Sequence, residues 1–241
     1  MAQRSQATRA SRSYATGMER LRFAQKSGAG DPAYLRWVNR GIGRRAASLA
    51  WVFGLSPNVV TAISAVLSLG GLLIVAIIPT SPAMAVTASF LLLGGYALDS
   101  ADGQLARLTD RGSVAGEWLD HVVDATRLPL FHVAIAMYAL RNQAQLWFVA
   151  VAVAFALLSS VWFFAQTLAE KLLPFEPPVR TAPLWVSFAK LPWDVGVLYL
   201  SVLMLAITPL FSLVYTALFG ITAIVAIASL RRKYLLLSKD G

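Results

Sequence analysis

Six carboxylates stand within one short stretch, LDSADGQLARLTDRGSVAGEWLDHVVDATR, from Leu98 to Arg127. Asp99, Asp102, Asp110, Glu117, Asp120 and Asp124 are half of the chain's 12 acidic residues, in a sequence that is 57% hydrophobic and 14% charged. Charge is costly near a bilayer, so a cluster of this kind needs a reason. On a helix, Asp99 and Asp102 lie i,i+3 and share a face. Glu117, Asp120, His121 and Asp124 fall at i, i+3, i+4 and i+7 of a second helix, and Arg127 extends the same stripe. Trp118, Leu119, Val122, Val123 and Ala125 form its apolar side. Such a helix turns its polar stripe into a cavity rather than toward lipid. Four Asp brought together from two helix ends repel one another and, unless protonated, need cations between them. Carboxylate-only ligation in a chain without Cys suits Mg²⁺ or Mn²⁺ rather than zinc. Four Asp suffice to hold a pair of such ions ~3.5–4 Å apart, the arrangement used for phosphoryl displacement. Gly103 and Ala106 remove bulk where a ligand would approach, and Arg107 offers a planar fork for a phosphate.

The elements that must position these groups are apolar helices. The composition excludes a large water-soluble domain and points to an all-α integral membrane protein. Residues 1–30, rich in Arg, Ser, Ala and Gln and lacking an apolar signal region, read as a disordered basic cytoplasmic tail, although organelle transit peptides share that composition. Asp31-Pro32 has the look of a helix start. Leu35, Val38, Ile42 and Leu49 then recur at helical spacing beside an Arg36, Arg40, Arg44 stripe, which predicts an interfacial amphipathic helix over 31–50. Six transmembrane helices are expected within 51–235. They run over Val59–Ile78, from Ala83 through the acidic motif, Gly116–Leu140, Leu146–Leu168, Pro192–Pro209 and Leu210–Leu230, with a short cytoplasmic tail at 236–241.

With six spans, both termini share one side, and 20 of the 21 Lys and Arg residues fall there, Arg141 alone lying opposite. The positive-inside bias makes that side cytoplasmic and puts the acidic site there too, in a multi-pass protein of the cell membrane. The formal net charge of +9 therefore reads as topology and headgroup contact, not as nucleic-acid binding.

The run Asp99-x-x-Asp102-Gly103-x-x-Ala106-Arg107, eight residues, then Gly116-x-x-x-Asp120-x-x-x-Asp124, resembles without a gap the signature of the CDP-alcohol phosphotransferase (CDP-alcohol phosphatidyltransferase) family. The six-span layout behind an interfacial helix is also similar to that family over about residues 32–235. The resemblance implies a phospholipid-synthesis transferase with Asp99, Asp102, Asp120 and Asp124 as ligands of two Mg²⁺ or Mn²⁺ ions. It implies Asp124 as general base, and Gly103 and Arg107 against the CDP part of the donor, with Ala106 and Gly116 of the same motif counted among the donor-binding residues. Ser113 stands where the family often has another polar contact. Ser56-Pro57-Asn58-Val59-Val60-Thr61 resembles a family element that sets Asn58 and Thr61 near the nucleotide. Homodimers are frequent in the family, and a homodimer is expected here.

Two substrate branches stay open. One transfers a phosphatidyl group from CDP-diacylglycerol to a polar alcohol such as inositol phosphate, glycerol phosphate or serine, releasing CMP; the compact chain favours it. The other transfers phosphocholine or phosphoethanolamine from CDP-choline or CDP-ethanolamine to diacylglycerol. The run Gly116-Glu117-x-x-Asp120-His121 resembles that branch and makes His121 an alternative base. For an acceptor carrying its own phosphate, Arg127, Lys171, Arg180 and Lys190 are the basic candidates, with lipid-headgroup anchoring as their plainer role. His132 reads as a packed core histidine. A Mg²⁺ channel or transporter is the rival from another class, but its carboxylates should be spread through the membrane depth rather than crowded at one end.

Overall fold

The computed structural model describes residues 12–25, 28–173 and 182–238. Every regular element among them is helical. The first helix, α1 (Tyr14–Phe23), lies inside the stretch expected to be a disordered tail. Its low hydrophobicity hides it, yet Ser13 caps it and Leu21 is fully buried against Ala47, Trp51 and Leu105.

Residues 31–50 do not form one regular helix. A π-helical turn, Tyr34–Asn39, runs into α2 (Arg40–Val52). The backbone N–H of Leu35 donates to the Asp194 carboxylate at 3.0 Å, which diverts this turn from a regular ladder. Asp31 pairs with Arg40 at 2.6 Å. Trp37, Val38, Ile42 and Leu49 are exposed along one side.

Ser56 and Pro57 start α3 (Pro57–Ile77), the Ser56 hydroxyl accepting from the Val59 N–H. Ser81 and Pro82 start α4 (Pro82–Thr109) in the same way. Asp110 adopts a left-handed conformation (φ 52°) that ends α4, so this member of the acidic cluster terminates a helix. Ser113 caps α5 (Val114–Arg141), accepting from the Gly116 N–H at 3.0 Å. Next comes α6 (Leu146–Leu172). A Cβ on Gly95 of α4 would lie 2.2 Å from Ser68 Oγ, so α3 and α4 approach backbone to backbone. There the Ser64 hydroxyl donates to the Gly95 carbonyl at 2.7 Å.

Among the described residues, five helices are long and apolar enough to cross a membrane: α3, α4, α5, α6 and α9 (Thr208–Leu237). The protein is thus multi-pass. A short α7 (Leu184–Ala189) precedes the fifth expected span, from Pro192 to before Pro209, which is instead a 3-10 turn (Leu191–Trp193), α8 (Val195–Ser201) and a 3-10 stretch (Val202–Ala206). Its continuous part, Val195–Ala206, reaches about 20 Å, short of a ~30 Å hydrocarbon core.

It nonetheless carries the chain back along the bundle. Phe211 at the start of α9 packs on Tyr138 and Phe148, while Gln166 near the end of α6 bonds to Ser229 near the end of α9. So α6 and α9 run parallel. Leu198, Tyr199, Val202 and Leu205 are buried, and irregular backbone is tolerated at depth where protein surrounds it. Gly196 lets it pass Tyr34, whose ring a Cβ would meet at 2.0 Å.

Candidate active site

Helix α3 packs against both α4 and α5, which are joined by the short Asp110–Ser113 turn but do not themselves pack along their length. The cleft between them receives the polar stripe of α5, while Trp118, Val122 and Ala125 on its other side are exposed. One carboxylate oxygen each from Asp99, Asp120 and Asp124 lies within 4.8 Å of the others. Three of the four Asp expected to meet thus converge, two from α5 and one from α4. Asp102 is 6% exposed and accepts a 2.5 Å hydrogen bond from the Thr61 hydroxyl.

Beneath the cluster sits Arg127, only 3% exposed. Its guanidinium pairs with Asp99 at 3.0 Å and more closely with Asp124, and it lies over the Tyr96 ring. Asp99 Oδ1 and two guanidinium nitrogens, Nε and Nη1, are buried without hydrogen-bond partners. Three half-buried carboxylates, one with an orphaned oxygen, form an all-oxygen donor set that fits a hard divalent cation.

Two cavities flank Asp102, Gly103, Arg107 and Asp120. The larger, about 560 Å³, is lined by Asn58, Thr61, Gly103, Ala106, Arg107, Ser113 and Gly116, with Arg111 beside them. Asn58 stands within α3 behind the Ser56 cap, so it is not the cap itself. Gly116 is small because a Cβ there would come 3.1 Å from both Asn58 Oδ1 and Ser113 Oγ. The smaller, about 190 Å³, adds Gln25, Asn39, Arg40, Tyr96, Asp99 and Gln104.

Among the described residues, the basic groups expected to meet an acceptor phosphate are not themselves in the lining of either cavity. Lys171 pairs with Glu117 at 2.6 Å on the surface, and Lys190 donates to the Gly30 carbonyl. Arg127 serves the carboxylates, and Arg180 lies outside the described residues. The cavity cations are Arg40, Arg107 and Arg111. The sequence had offered Arg40 only as part of an interfacial stripe. His121 sits with Nδ1 3.8 Å from Asp120 and its ring against Phe163, outside the converging set.

An apolar cavity of about 250 Å³ opens beyond Asp124, lined by Leu128, Phe131, Phe155 and Leu198. Trp162, Tyr199 and Thr222 stand in its wall as well, and their Nε1, OH and Oγ1 atoms are buried without hydrogen-bond partners in the structure. His132 in its wall is a core residue, stacked on Phe155 and bonded to Tyr215 OH.

A family model described as CDP-alcohol phosphatidyltransferase matches residues 54–230, from the start of α3 through most of α9. No curated protein sequence matches the chain.

Proposed function

This chain belongs to the CDP-alcohol phosphatidyltransferase family, and on that premise we propose that it moves a phosphatidyl group from CDP-diacylglycerol to a polar alcohol, releasing CMP. Members of the family are transferases that transfer a phosphatidyl or phosphoalcohol group with CMP release. The observation that carries the reading is a coincidence of sites. All seven residues that the motif resemblance assigns to the donor line one cavity, and that cavity borders the converging carboxylates.

Asp99, Asp120 and Asp124 would hold divalent ions, Mg²⁺ or Mn²⁺, with Asp102 beside them on Thr61. When bound, such ions neutralise charge on the diphosphate. Arg107 meets a donor phosphate with its terminal nitrogens, and Asn58 and Ser113 meet the nucleotide from the cavity wall. Asp124 accepts the proton of the acceptor hydroxyl as that oxygen attacks the phosphorus nearer the diacylglycerol. The new P–O bond makes the phosphodiester, the bond to the CMP oxygen breaks, and CMP leaves with that electron pair.

The apolar cavity one turn past Asp124 supports a lipid reactant. Arg40 and Arg111 offer charge to an acceptor that carries a phosphate, such as inositol phosphate or glycerol phosphate. The return through Val195–Ala206 serves as a sixth pass, so both termini and the cleft face the cytoplasm, with Trp37, Val38, Ile42 and Leu49 in the interface. We extend the family's homodimer habit to this chain as part of the same reading.

A second reading keeps the choline and ethanolamine branch, on the Gly116-Glu117-x-x-Asp120-His121 run and the nearness of His121 to Asp120. The deciding experiment gives purified protein either CDP-diacylglycerol with a panel of polar alcohols, or CDP-choline with diacylglycerol, and weighs the lipid product by mass spectrometry. A new phosphodiester only in the first mixture is the expected result. Phosphatidylcholine from the second would replace it.

A further inference from the structure

Helix α1 lies outside the stretch that matches the family, yet it is built into the protein. Leu21 is completely buried. The Ser48 hydroxyl donates to the Tyr14 carbonyl at 2.8 Å. Gly17 is packed so closely that a Cβ there would lie 2.3 Å from Ser48 Oγ. The Arg12 and Arg20 guanidinium groups both lie over the Trp51 ring.

The way the chain leaves this helix reaches the donor cavity. Arg107 Nε donates to the Ala24 carbonyl at 2.9 Å. Next to it, Gln25 Nε2 donates to the Leu21 carbonyl at 2.7 Å and to Gln104 Oε1 at 3.0 Å. Gln104 Nε2 in turn reaches the Arg40 carbonyl and Ser100 Oγ. Gln25 itself lines the smaller polar cavity with Asp99, Asp102, Gly103, Arg107 and Asp120. A guanidinium carries five N–H donors in a rigid plane. Fixing Nε on a backbone carbonyl therefore fixes the plane and leaves the terminal nitrogens to face the cavities.

We propose that α1 with its exit, Ala24–Gln25, is a positioning brace of the donor site. The Ala24 carbonyl sets the plane of Arg107, and the Gln25–Gln104 amide pair holds that carbonyl in place. Gln25 is thus a positioning residue for the CDP-alcohol, acting through Arg107. This rests on the reading that the cavity beside Arg107 takes a CDP-alcohol. A free Arg107 side chain still meets a phosphate, but from many rotamers, so losing the brace weakens donor binding and leaves the chemical step alone.

The test compares wild type with Gln25→Ala, Leu21→Ala and the volume-conserving Leu21→Met, each checked for a monodisperse, helical product. CDP affinity is measured by titration calorimetry without turnover, and KM and kcat by CMP release. Gln25→Ala and Leu21→Ala should raise the CDP dissociation constant and the donor KM about two- to tenfold, the span of one net hydrogen bond, with kcat unchanged. Leu21→Met should match wild type. In an Arg107→Ala background, Gln25→Ala should add nothing, because the residue through which it acts is gone.

Wild-type protein that binds no CDP overturns the donor-cavity reading and the brace with it. Wild-type binding with unchanged affinity in Gln25→Ala and Leu21→Ala overturns the brace alone. So does a Gln25→Ala effect that persists at full size without Arg107.

Discussion

Arg127→Met isolates the electrostatics of the acidic cluster from its chemistry. The guanidinium is 3% exposed and bridges Asp99, at 3.0 Å, to Asp124. Met keeps much of the side chain's length and apolar packing but none of its charge. Removing one partner of a buried ion pair costs about 3–5 kcal/mol, because the remaining charge stays buried. In a domain of this size each kcal/mol moves the melting temperature by roughly 2–4 °C, so in EDTA the variant should melt roughly 6–20 °C below wild type. Divalent metal reverses the comparison. Ligand at 100 times its dissociation constant stabilises any binder by about 2.7 kcal/mol, and the variant binds more tightly because a competing cation is gone. The melting rise on adding Mg²⁺ should therefore be larger in Arg127→Met than in wild type, followed by circular dichroism in detergent at one scan rate. A variant that melts with wild type in EDTA, or responds less to Mg²⁺, would refute this account of the cluster.

Asp124→Asn keeps an oxygen ligand and the side chain's shape but cannot accept a proton, so kcat should fall ~10²–10⁴-fold and stay low at any Mg²⁺ concentration. Asp99→Asn should instead recover part of its activity at high Mg²⁺. If Asp124→Asn turns over normally while His121→Ala does not, the base is His121. The chain has no cysteine, so single cysteines report topology cleanly: one in the Pro79–Pro82 turn should label from outside intact cells, and one at Arg111 should not. The reverse pattern would put the cleft on the wrong face for a cytosolic CDP-alcohol. Gly95→Val should destabilise the protein by about 1–3 kcal/mol, since its side chain meets Ser68 Oγ and the Ser64 carbonyl. An unchanged melting temperature would mean that α3 and α4 are not in close contact.

Spacing puts Asp120 and Asp124 on one stripe of α5, because i,i+4 geometry on a helix is nearly invariant. It is the packing of α3 against both α4 and α5 that brings Asp99 to them, and Asp102, expected as a fourth member, bonds to Thr61 beside the group. The caps Ser56, Ser81 and Ser113 also follow from local chemistry. Longer-range contacts were hidden. Tyr14–Phe23 is too polar to advertise a helix, and what orders it is a single buried Leu21 and bonds to distant residues. The short return through Val195–Ala206 was read as a full span, since no sequence rule shows that surrounding helices will bury it. Asp194 stands far outside the acidic stretch Leu98–Arg127. It ties that return to the π-helical turn, accepting from the Leu35 and Gly196 N–H groups, and burial pushes its carboxyl above the ordinary range. Arg127 lay on the predicted stripe, but only the packing of Tyr96 beside it turns a cavity cation into a counter-ion for two carboxylates.

The most direct test of the central claim is CMP release from CDP-diacylglycerol by the purified wild-type protein, with a polar alcohol present, in Mg²⁺ and again in excess EDTA. Release in Mg²⁺ that stops in EDTA and resumes when Mg²⁺ is restored is the expected result. Release that continues unchanged in EDTA would contradict a site in which Asp99, Asp120 and Asp124 work through bound metal.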